Sequence, residues 1–215
     1  MKFKIKKTVP LPGVICLKFQ NQYECCSSFM RMQEFYESPF KEIRGKFFTL
    51  DKFMDLYAKQ QGDFTYTSDW GGFNVPGHVV DQFYLLFEMD LFEKEQHLFD
   101  KIESLGEKYY VIGMCDETSL DHELAHALYY LNDGYFHVMD DLVKSLPKTM
   151  KEKIQSWLLE HGYSKPQVPD EIHAYLATES QVTLIRRFGK QVGTSKRIEA
   201  FRKAYEQHSG RKLVA

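Results

Sequence analysis

One short stretch of this chain constrains its local fold more than any other. Residues 122–126 read His-Glu-Leu-Ala-His, with the two histidines four positions apart. In an α-helix, side chains four residues apart lie on the same face, one turn from each other. Both imidazoles could then bind one metal ion, with Glu123 placed between them as a proton acceptor. The motif therefore predicts a helix that carries a metal site.

The residues around the motif favour a helix that is largely buried. Its neighbours are mostly apolar, namely Leu120, Leu124, Ala125, Ala127, Leu128 and Leu131. A solvated helix that carried two histidines by chance would show a wider polar face. Burial of histidine and glutamate is unfavourable unless ligation or hydrogen bonding offsets it. With Thr118 as N-cap and Asn132-Asp133-Gly134 as the stop, the helix is predicted over about residues 119–132.

The sequence restricts the source of a third metal ligand. The extended motif H-E-x-x-H-x-x-G-x-x-H is absent, because Tyr129 replaces its glycine and Asn132 its last histidine. The metzincin type is therefore excluded. The best downstream candidate is residues 170–179, at the start of a helix predicted over residues 170–188.

On that second helix, Glu171, Ala174 and Thr178 share one face. The two small residues would let it approach the first helix closely. This segment could therefore bring one of its side chains close to the motif helix.

Together the two segments resemble the gluzincin branch of the zincin metallopeptidases, and especially its short bacterial members. Those proteins carry H-E-x-x-H on one helix and a glutamate ligand on a later helix, followed three residues on by a small residue. The resemblance implies that His122, His126 and Glu171 are zinc ligands and that Glu123 is the general base that activates a zinc-bound water. It covers residues 109–178 and departs from the family at Ser119, where valine or threonine is more frequent.

Other residues compete for the third ligand position or for a role in catalysis. His173 lies two residues from Glu171 and should point to a different side of the helix. Glu179 is a further candidate, and the Asp-Asp pair at residues 140–141 begins a charged stretch typical of a solvated face. Tyr175, one turn beyond Glu171, is the candidate for stabilising an oxyanion. Its alternative role is that of a half-buried packing residue.

The remaining pattern predicts an α+β fold that is mainly helical. Residues 109–113 form a short β-type run, and the resemblance implies a zincin-like fold with a small sheet packed on the H-E-x-x-H helix. At 215 residues, the chain is expected to be a single domain, with a mostly helical N-terminal half (1–105), a metal-site core (106–190) and a basic C-terminal helix (191–215). Residues 1–20, with prolines at 10 and 12, predict an irregular arm or an edge strand rather than a central one.

Helical periodicity and capping residues predict several further elements. They lie near residues 49–57, 78–105 (one long helix or two short ones), 136–145, 148–160 and 195–208. Thr49 is the predicted N-cap of the first of them.

Composition and charge bear on partners and location. A formal net charge of −2 gives no reason to expect binding to nucleic acid or anionic lipid, and the basic residues near the C-terminus are expected to form a solvated helix face. The basic start is not followed by the apolar core of a signal peptide. No run approaches about 18 apolar residues, so no membrane span is expected.

The cysteines bear on location. Four cysteines without framework spacing indicate buried thiols in a reducing compartment. We therefore expect a cytoplasmic protein.

Two functions follow as hypotheses. The first is a zinc metallopeptidase that hydrolyses a peptide or amide bond of a peptide or protein substrate through zinc-activated water. The second is a non-catalytic binding or regulatory module of zincin fold, with a structural metal and an aromatic-rich N-terminal half as its partner surface. A closed fourth coordination position, or a cleft filled by the loop around Trp70, would favour the second.

Overall fold

The computed structural model describes residues 4–102, 108–161 and 163–213. Within these ranges the fold is α+β, with helices predominating and four short strands in one mixed sheet. The prediction of a mainly helical α+β fold is confirmed at this level. The chain divides into two compact units, Met1–Ser119 (unit 1) and Leu120–Ala215 (unit 2), which are described separately. The description as a single domain stays a prediction.

Unit 1 holds the sheet and the helices of the N-terminal half. Its described strands are β1 (Lys6–Thr8), β2 (Val14–Lys18), β3 (Gly72–Pro76) and β4 (Tyr110–Met114). Its described helices are α1 (Gln22–Glu37), α2 (Leu50–Gln61), α3 (Tyr66–Asp69), α4 (Gly77–Phe87), a 3-10 turn (Glu88–Asp90) and α5 (Glu93–Phe99). The Thr49 hydroxyl accepts a hydrogen bond from the Lys52 N–H at 3.3 Å, so the predicted cap of α2 is confirmed.

Unit 2 contains helices and no strand among its described residues. Its helices are α6 (Leu120–Leu131), α7 (Asp133–Ser145), α8 (Lys148–Glu160), α9 (Val168–Thr178), α10 (Gln181–Phe188), α11 (Lys190–Gly193) and α12 (Ile198–Ser209). The helices predicted near residues 136–145, 148–160 and 195–208 are therefore present.

The sheet has the order β1-β2-β4-β3, in which β2 and β4 run parallel and the other pairs antiparallel. β1 is an edge strand, as predicted, but β2 lies between β1 and β4, so the prediction of no central strand in residues 1–20 is wrong. The reason is that Pro10 and Pro12 lie in the turn between β1 and β2 and remove no ladder hydrogen bond. All five residues of β4 are buried.

In unit 1 the helix α1 packs on β3 and β4 through aromatic rings. Phe29 stacks on Phe73 with ring centroids 5.4 Å apart and meets Phe19 edge-on at 6.0 Å. Gly113 lies inside β4, where a Cβ atom would come within 2.3 Å of the Phe29 ring. Glycine at this position therefore lets α1 approach the sheet.

In unit 2 the helix α9 is the central element. Eight of its eleven residues are buried, and it packs against α6, α7, α8 and α12. It begins at Val168 with Pro169 in the first turn, where the missing N–H costs nothing. The prediction of one helix over residues 170–188 is wrong, because Ser180 is extended and caps α10 by accepting from the Thr183 N–H at 3.1 Å.

The helix α6, which carries the motif, has the predicted end. It stops at Leu131, and the Asn132 side chain caps α7 by accepting a hydrogen bond from the Tyr135 N–H at 2.9 Å. It begins at Leu120, two residues after the predicted cap Thr118, whose N–H donates to Asp116 at 2.8 Å. The end of α6 thus coincides with the capped start of the next helix at Asn132.

Two findings bear on the expectations from composition. Cys16, Cys25 and Cys26 are buried thiols, and Cys115 is a partly exposed one. Among the described helices, none has the length and apolar character that crossing a membrane requires.

Candidate metal centre

The two helices α6 and α9 bring the three predicted ligands together. On α6, the Nε2 atoms of His122 and His126 lie 3.2 Å apart. The Glu171 carboxylate of α9 faces both, with Oε2 at 3.7 Å from His122 Nε2 and Oε1 at 3.6 Å from His126 Nε2. One ligand atom from each residue lies within 4.8 Å of the others. The structure thus brings together the three residues that were predicted as metal ligands.

These distances fit the donor set of a zinc ion. Ligand atoms at 2.0–2.1 Å from zinc, in tetrahedral directions, lie about 3.3 Å apart. The two histidine Nε2 atoms, 3.2 Å apart, are close to that value. Each of them lies near a different oxygen of the Glu171 carboxylate, at 3.7 and 3.6 Å, and one donor atom from each of the three residues lies within 4.8 Å of the others. Glu171 Oε2 is also buried without a hydrogen-bond partner, which is costly for a carboxylate oxygen unless a cation compensates it. The residues present therefore fit a zinc ion.

Asp170 lies close to one of the histidines. Its Oδ1 lies 2.9 Å from Nδ1 of His126. A carboxylate at that position favours the tautomer with the proton on Nδ1 and leaves the Nε2 lone pair directed at His122 and Glu171. Burial alone would raise the pKa of Asp170, but the adjacent histidines, above all His126, hold it below its ordinary value.

The centre carries an excess of negative charge. Burial alone would lower the pKa of His126, but the charges of Asp170, Glu171 and Glu123 raise it to about 10. The same carboxylates would also stabilise a divalent cation, which has to displace the proton from His126 Nε2 in order to bind there. The electrostatics therefore favour metal binding at the histidine pair.

His173, the competing ligand, lies outside the cluster of three. It is fully buried, with Nδ1 3.3 Å from Asp170 Oδ1 and Nε2 3.3 Å from the Ala125 carbonyl oxygen. Its ring stacks on Tyr129 with centroids 4.3 Å apart, and burial lowers its pKa to about 4. His173 is therefore a neutral residue that packs behind Asp170.

Tyr175 lies beside the centre, with its ring centroid 4.8 Å from that of His122. Its hydroxyl is 3.1 Å from the hydroxyl of Tyr163, and the Arg187 guanidinium carbon lies 4.9 Å from its ring centroid. Burial raises the pKa of Tyr175, while Tyr163 and Arg187 act in the opposite direction. Burial also raises the pKa of Tyr163, and the charges of Glu171 and Glu123 raise it further. Both phenols are thus protonated donors at neutral pH.

The other acidic candidates occupy different positions. Glu123 is buried on α6, and its charge contributes to the raised pKa values of His126 and of Tyr163. Glu179 Oε1 lies 3.9 Å from His122 Nδ1, which is too long for a hydrogen bond. Asp140, from the pair at residues 140–141, forms an ion pair with Lys144 on α7.

The C-terminal basic region supports the elements that carry the centre. Arg211 Nε donates to Asp121 Oδ1 at 2.6 Å, next in sequence to His122, and Tyr205 donates to the same atom at 2.7 Å. Arg202 donates to the Glu179 carbonyl oxygen at 2.6 Å, just beyond α9. These two arginines therefore have structural partners and do not belong to a purely solvated face.

Sequence reasoning missed two residues of the centre, Asp170 and Tyr163. Asp170 immediately precedes Glu171, and a second carboxylate beside a ligand is a signal for a residue that orients a histidine. Tyr163 follows the end of α8 and has no periodic relation to either motif, so no sequence signal points to it.

Comparison of the chain with protein-family models, with curated proteins and with solved structures finds no match. The case for a function therefore rests on the residues and on their geometry.

Proposed function

We propose that this protein is a zinc-dependent metallopeptidase of gluzincin-like type, which hydrolyses a peptide or amide bond. The observation that carries the proposal is the convergence of His122, His126 and Glu171 at separations suited to one zinc ion. A cluster of three protein donors leaves a coordination position for water or substrate, as in catalytic zinc sites, whereas structural sites use four protein ligands. This difference supports catalysis over a purely structural metal.

The residues of the centre have distinct roles in this proposal. Zinc, when bound, supplies Lewis-acid chemistry, which polarises a carbonyl and lowers the pKa of a water ligand to about 7. Glu123 takes the proton of the attacking water and passes it to the leaving amine. Asp170 holds the proton on His126 Nδ1 and so keeps the ligand nitrogen directed at the site.

The tyrosine pair is the proposed oxyanion donor. Tyr175 was the candidate from sequence, and its hydroxyl lies 3.1 Å from that of Tyr163. One phenol can therefore donate to the other, which leaves a remaining O–H for the developing negative charge of the substrate carbonyl oxygen. Both raised pKa values keep these protons in place at neutral pH.

A zincin-like fold and a cytoplasmic location belong to the same proposal. The order of strand β4, motif helix α6 and ligand helix α9 along the chain supports the first. The buried thiols of Cys25 and Cys26 support the second, because adjacent reduced cysteines suit a reducing compartment.

Metal analysis tests the zinc site directly. Protein purified without chelators should contain one zinc per chain, and His122→Ala should lose it because only two donors remain. His137→Ala is the matched control, since His137 is an exposed histidine of α7 outside the cluster. Protein without stoichiometric zinc, or equal zinc in the His122→Ala variant, would refute the site.

A second experiment separates catalysis from metal binding. Glu123→Gln keeps the shape of the side chain but cannot accept the proton, so this variant should retain zinc and lose cleavage of an unstructured protein such as casein. A zinc-loaded Glu123→Gln protein as active as the parent would exclude Glu123 as the base. A zinc-loaded parent that cleaves no member of a peptide library would exclude the peptidase function and leave the metal site standing.

A further inference from the structure

The helix α4 of unit 1 is apolar on more than one face. Its inner face, Val79, Val80, Phe83 and Phe87, is buried in the core. That face already supplies what a core-packed amphipathic helix requires. The apolar residues on the remaining surface of α4 and just beyond it therefore need a separate explanation.

These outer residues are strongly exposed. Leu85 is 75% exposed, Leu86 45% and Tyr84 39%, and Met89, in the turn that follows, is 97% exposed. Single exposed apolar residues are ordinary, but a contiguous group of large ones marks a binding surface. We call these four residues the α4 surface.

The α4 surface borders a groove. A cavity of about 780 Å³ lies between α4 and α5 and is lined by Tyr84, Leu85 and Met89 on one side and by Phe99 on the other. A second hollow of about 400 Å³ shares Leu85 and continues along Leu86. Space of this size accommodates several large side chains, as in grooves that receive one face of a partner helix.

The charged groups that line the groove, among the described residues, are carboxylates. They belong to Asp81, Glu88 and Asp100, and all three residues are exposed. Asp81 accepts a hydrogen bond from Tyr109 at 2.6 Å, and the Asp100 side chain, 75% exposed, lies 4.0 Å from His97 Nδ1. An apolar floor with acidic edges complements a ligand that is apolar on one face and basic at its margins.

We propose that the α4 surface and its groove bind a basic amphipathic helix of a partner protein. Leucine-type side chains of that helix enter the groove beside Leu85 and Met89, and its lysine or arginine side chains pair with Glu88 and Asp100. The same carboxylates would repel an anionic membrane. They also disfavour a symmetric contact between two copies of this face, because that contact would place carboxylate against carboxylate. The partner helix is therefore the occupant that the charges favour.

A labelled synthetic peptide tests this proposal with the full chain. The probe is an amphipathic helix of leucine and lysine with leucines at i, i+3, i+4 and i+7, and fluorescence anisotropy reports its binding. We expect saturable binding at one site, and Leu85→Ala combined with Met89→Ala should weaken it about tenfold or more, because apolar anchors carry most of the binding energy. A separate variant that combines Glu88→Gln with Asp100→Asn should also weaken peptide binding, because the negative charges at the margins of the groove are lost. These residues are exposed, so the variants keep the fold, and circular dichroism checks this.

Two controls make the result specific. Val182 is as exposed as Leu85, at 75%, and lies on α10 of unit 2, so Val182→Ala should leave peptide binding unchanged. A peptide with glutamate in place of lysine should not bind. The proposal is overturned if the lysine peptide does not bind, if both peptides bind alike, or if the Leu85/Met89 variant binds as the parent does. It is also overturned if the parent protein attaches to phosphatidylglycerol vesicles, or self-associates in sedimentation experiments, and the Leu85/Met89 variant loses that property.

Discussion

At the scale of single residues, the candidate centre has a second carboxylate beside its histidines, outside the cluster of three proposed ligands. Asp170 lies 2.9 Å from His126 Nδ1 and 3.3 Å from His173 Nδ1. We predict that Asp170→Asn lowers zinc affinity about 10- to 100-fold, because the amide no longer favours the required tautomer of His126. Competition with a chromophoric chelator measures this change.

The matched control for that prediction is Asp141→Asn. Asp141 is an exposed carboxylate of α7, and the same loss of one charge there should leave zinc affinity unchanged. Equal affinities of the parent and Asp170→Asn proteins would show that Asp170 has no part in holding His126.

The residues of the centre also show what sequence can reveal. The shared face of His122 and His126 was predictable from helical periodicity, whereas Glu171 was predicted as a ligand from the resemblance to a known family. Asp170 and Tyr163 were not, because their roles follow from how α9 packs against α6 and where the chain returns after α8. Tyr175 was selected by its spacing, but its hydroxyl partner Tyr163 appears only in the folded structure.

At the scale of elements, a buried ion pair links α1 to α5 in unit 1. The Arg31 side chain is fully buried; it donates from Nε to Glu95 Oε1 at 2.8 Å and from Nη1 to Asp90 Oδ2 at 2.8 Å. We predict that Arg31→Met lowers the free energy of unfolding by about 3–5 kcal/mol, because Glu95 is left as an uncompensated buried charge. Urea denaturation followed by circular dichroism measures the loss.

An exposed ion pair in the same unit provides the comparison. Lys18 Nζ lies 2.7 Å from Glu117 Oε1, but the two side chains are 38% and 64% exposed. Lys18→Met should therefore change the midpoint of urea unfolding little, since water solvates the remaining carboxylate. If the Arg31 and Lys18 variants lost stability equally, burial would not be what makes the first pair important.

The packing of α1 on the sheet gives a second prediction for an element. A Cβ at position 113 would lie 2.3 Å from the Phe29 ring, whereas one at Gly71 would meet nothing within 4 Å. We predict that Gly113→Ala destabilises the protein by about 1–3 kcal/mol through overpacking. Thermal unfolding should show this loss, with Gly71→Ala, another glycine of unit 1, nearly unchanged. If Gly113→Ala left the stability of the protein unchanged, α1 would have room to move away from β4.

The elements were predictable where a local signal decided them. Thr49 and the Asn132 stop marked real helix ends, and the amphipathic pattern of residues 78–105 contained α4 and α5. The central position of β2 was missed because prolines were assigned to the strand rather than to the turn before it. The break at Ser180 was missed because a serine can either cap a helix or lie within one, and only its extended backbone decides which.

At the scale of the whole molecule, all three proposed zinc ligands come from unit 2. His122 and His126 lie on α6 and Glu171 on α9, so one ion would cross-link two helices of Leu120–Ala215. A ligand that binds only the folded state stabilises it by about 2.7 kcal/mol at a hundred times its dissociation constant. We predict that zinc slows hydrogen exchange most in peptides from α6 and α9 and least in peptides from β1–β4, as mass spectrometry would show.

The variant Glu171→Gln separates this effect from non-specific zinc binding. Its amide oxygen is a far weaker zinc ligand than a carboxylate, so added zinc should no longer protect α6 and α9. Zinc bound loosely by surface histidines would instead protect the parent and the variant alike, without preference for these two helices. Protection confined to α6 and α9 in the parent and lost in Glu171→Gln therefore requires that the ion join the two helices, which is the arrangement that the histidine and glutamate geometry implies.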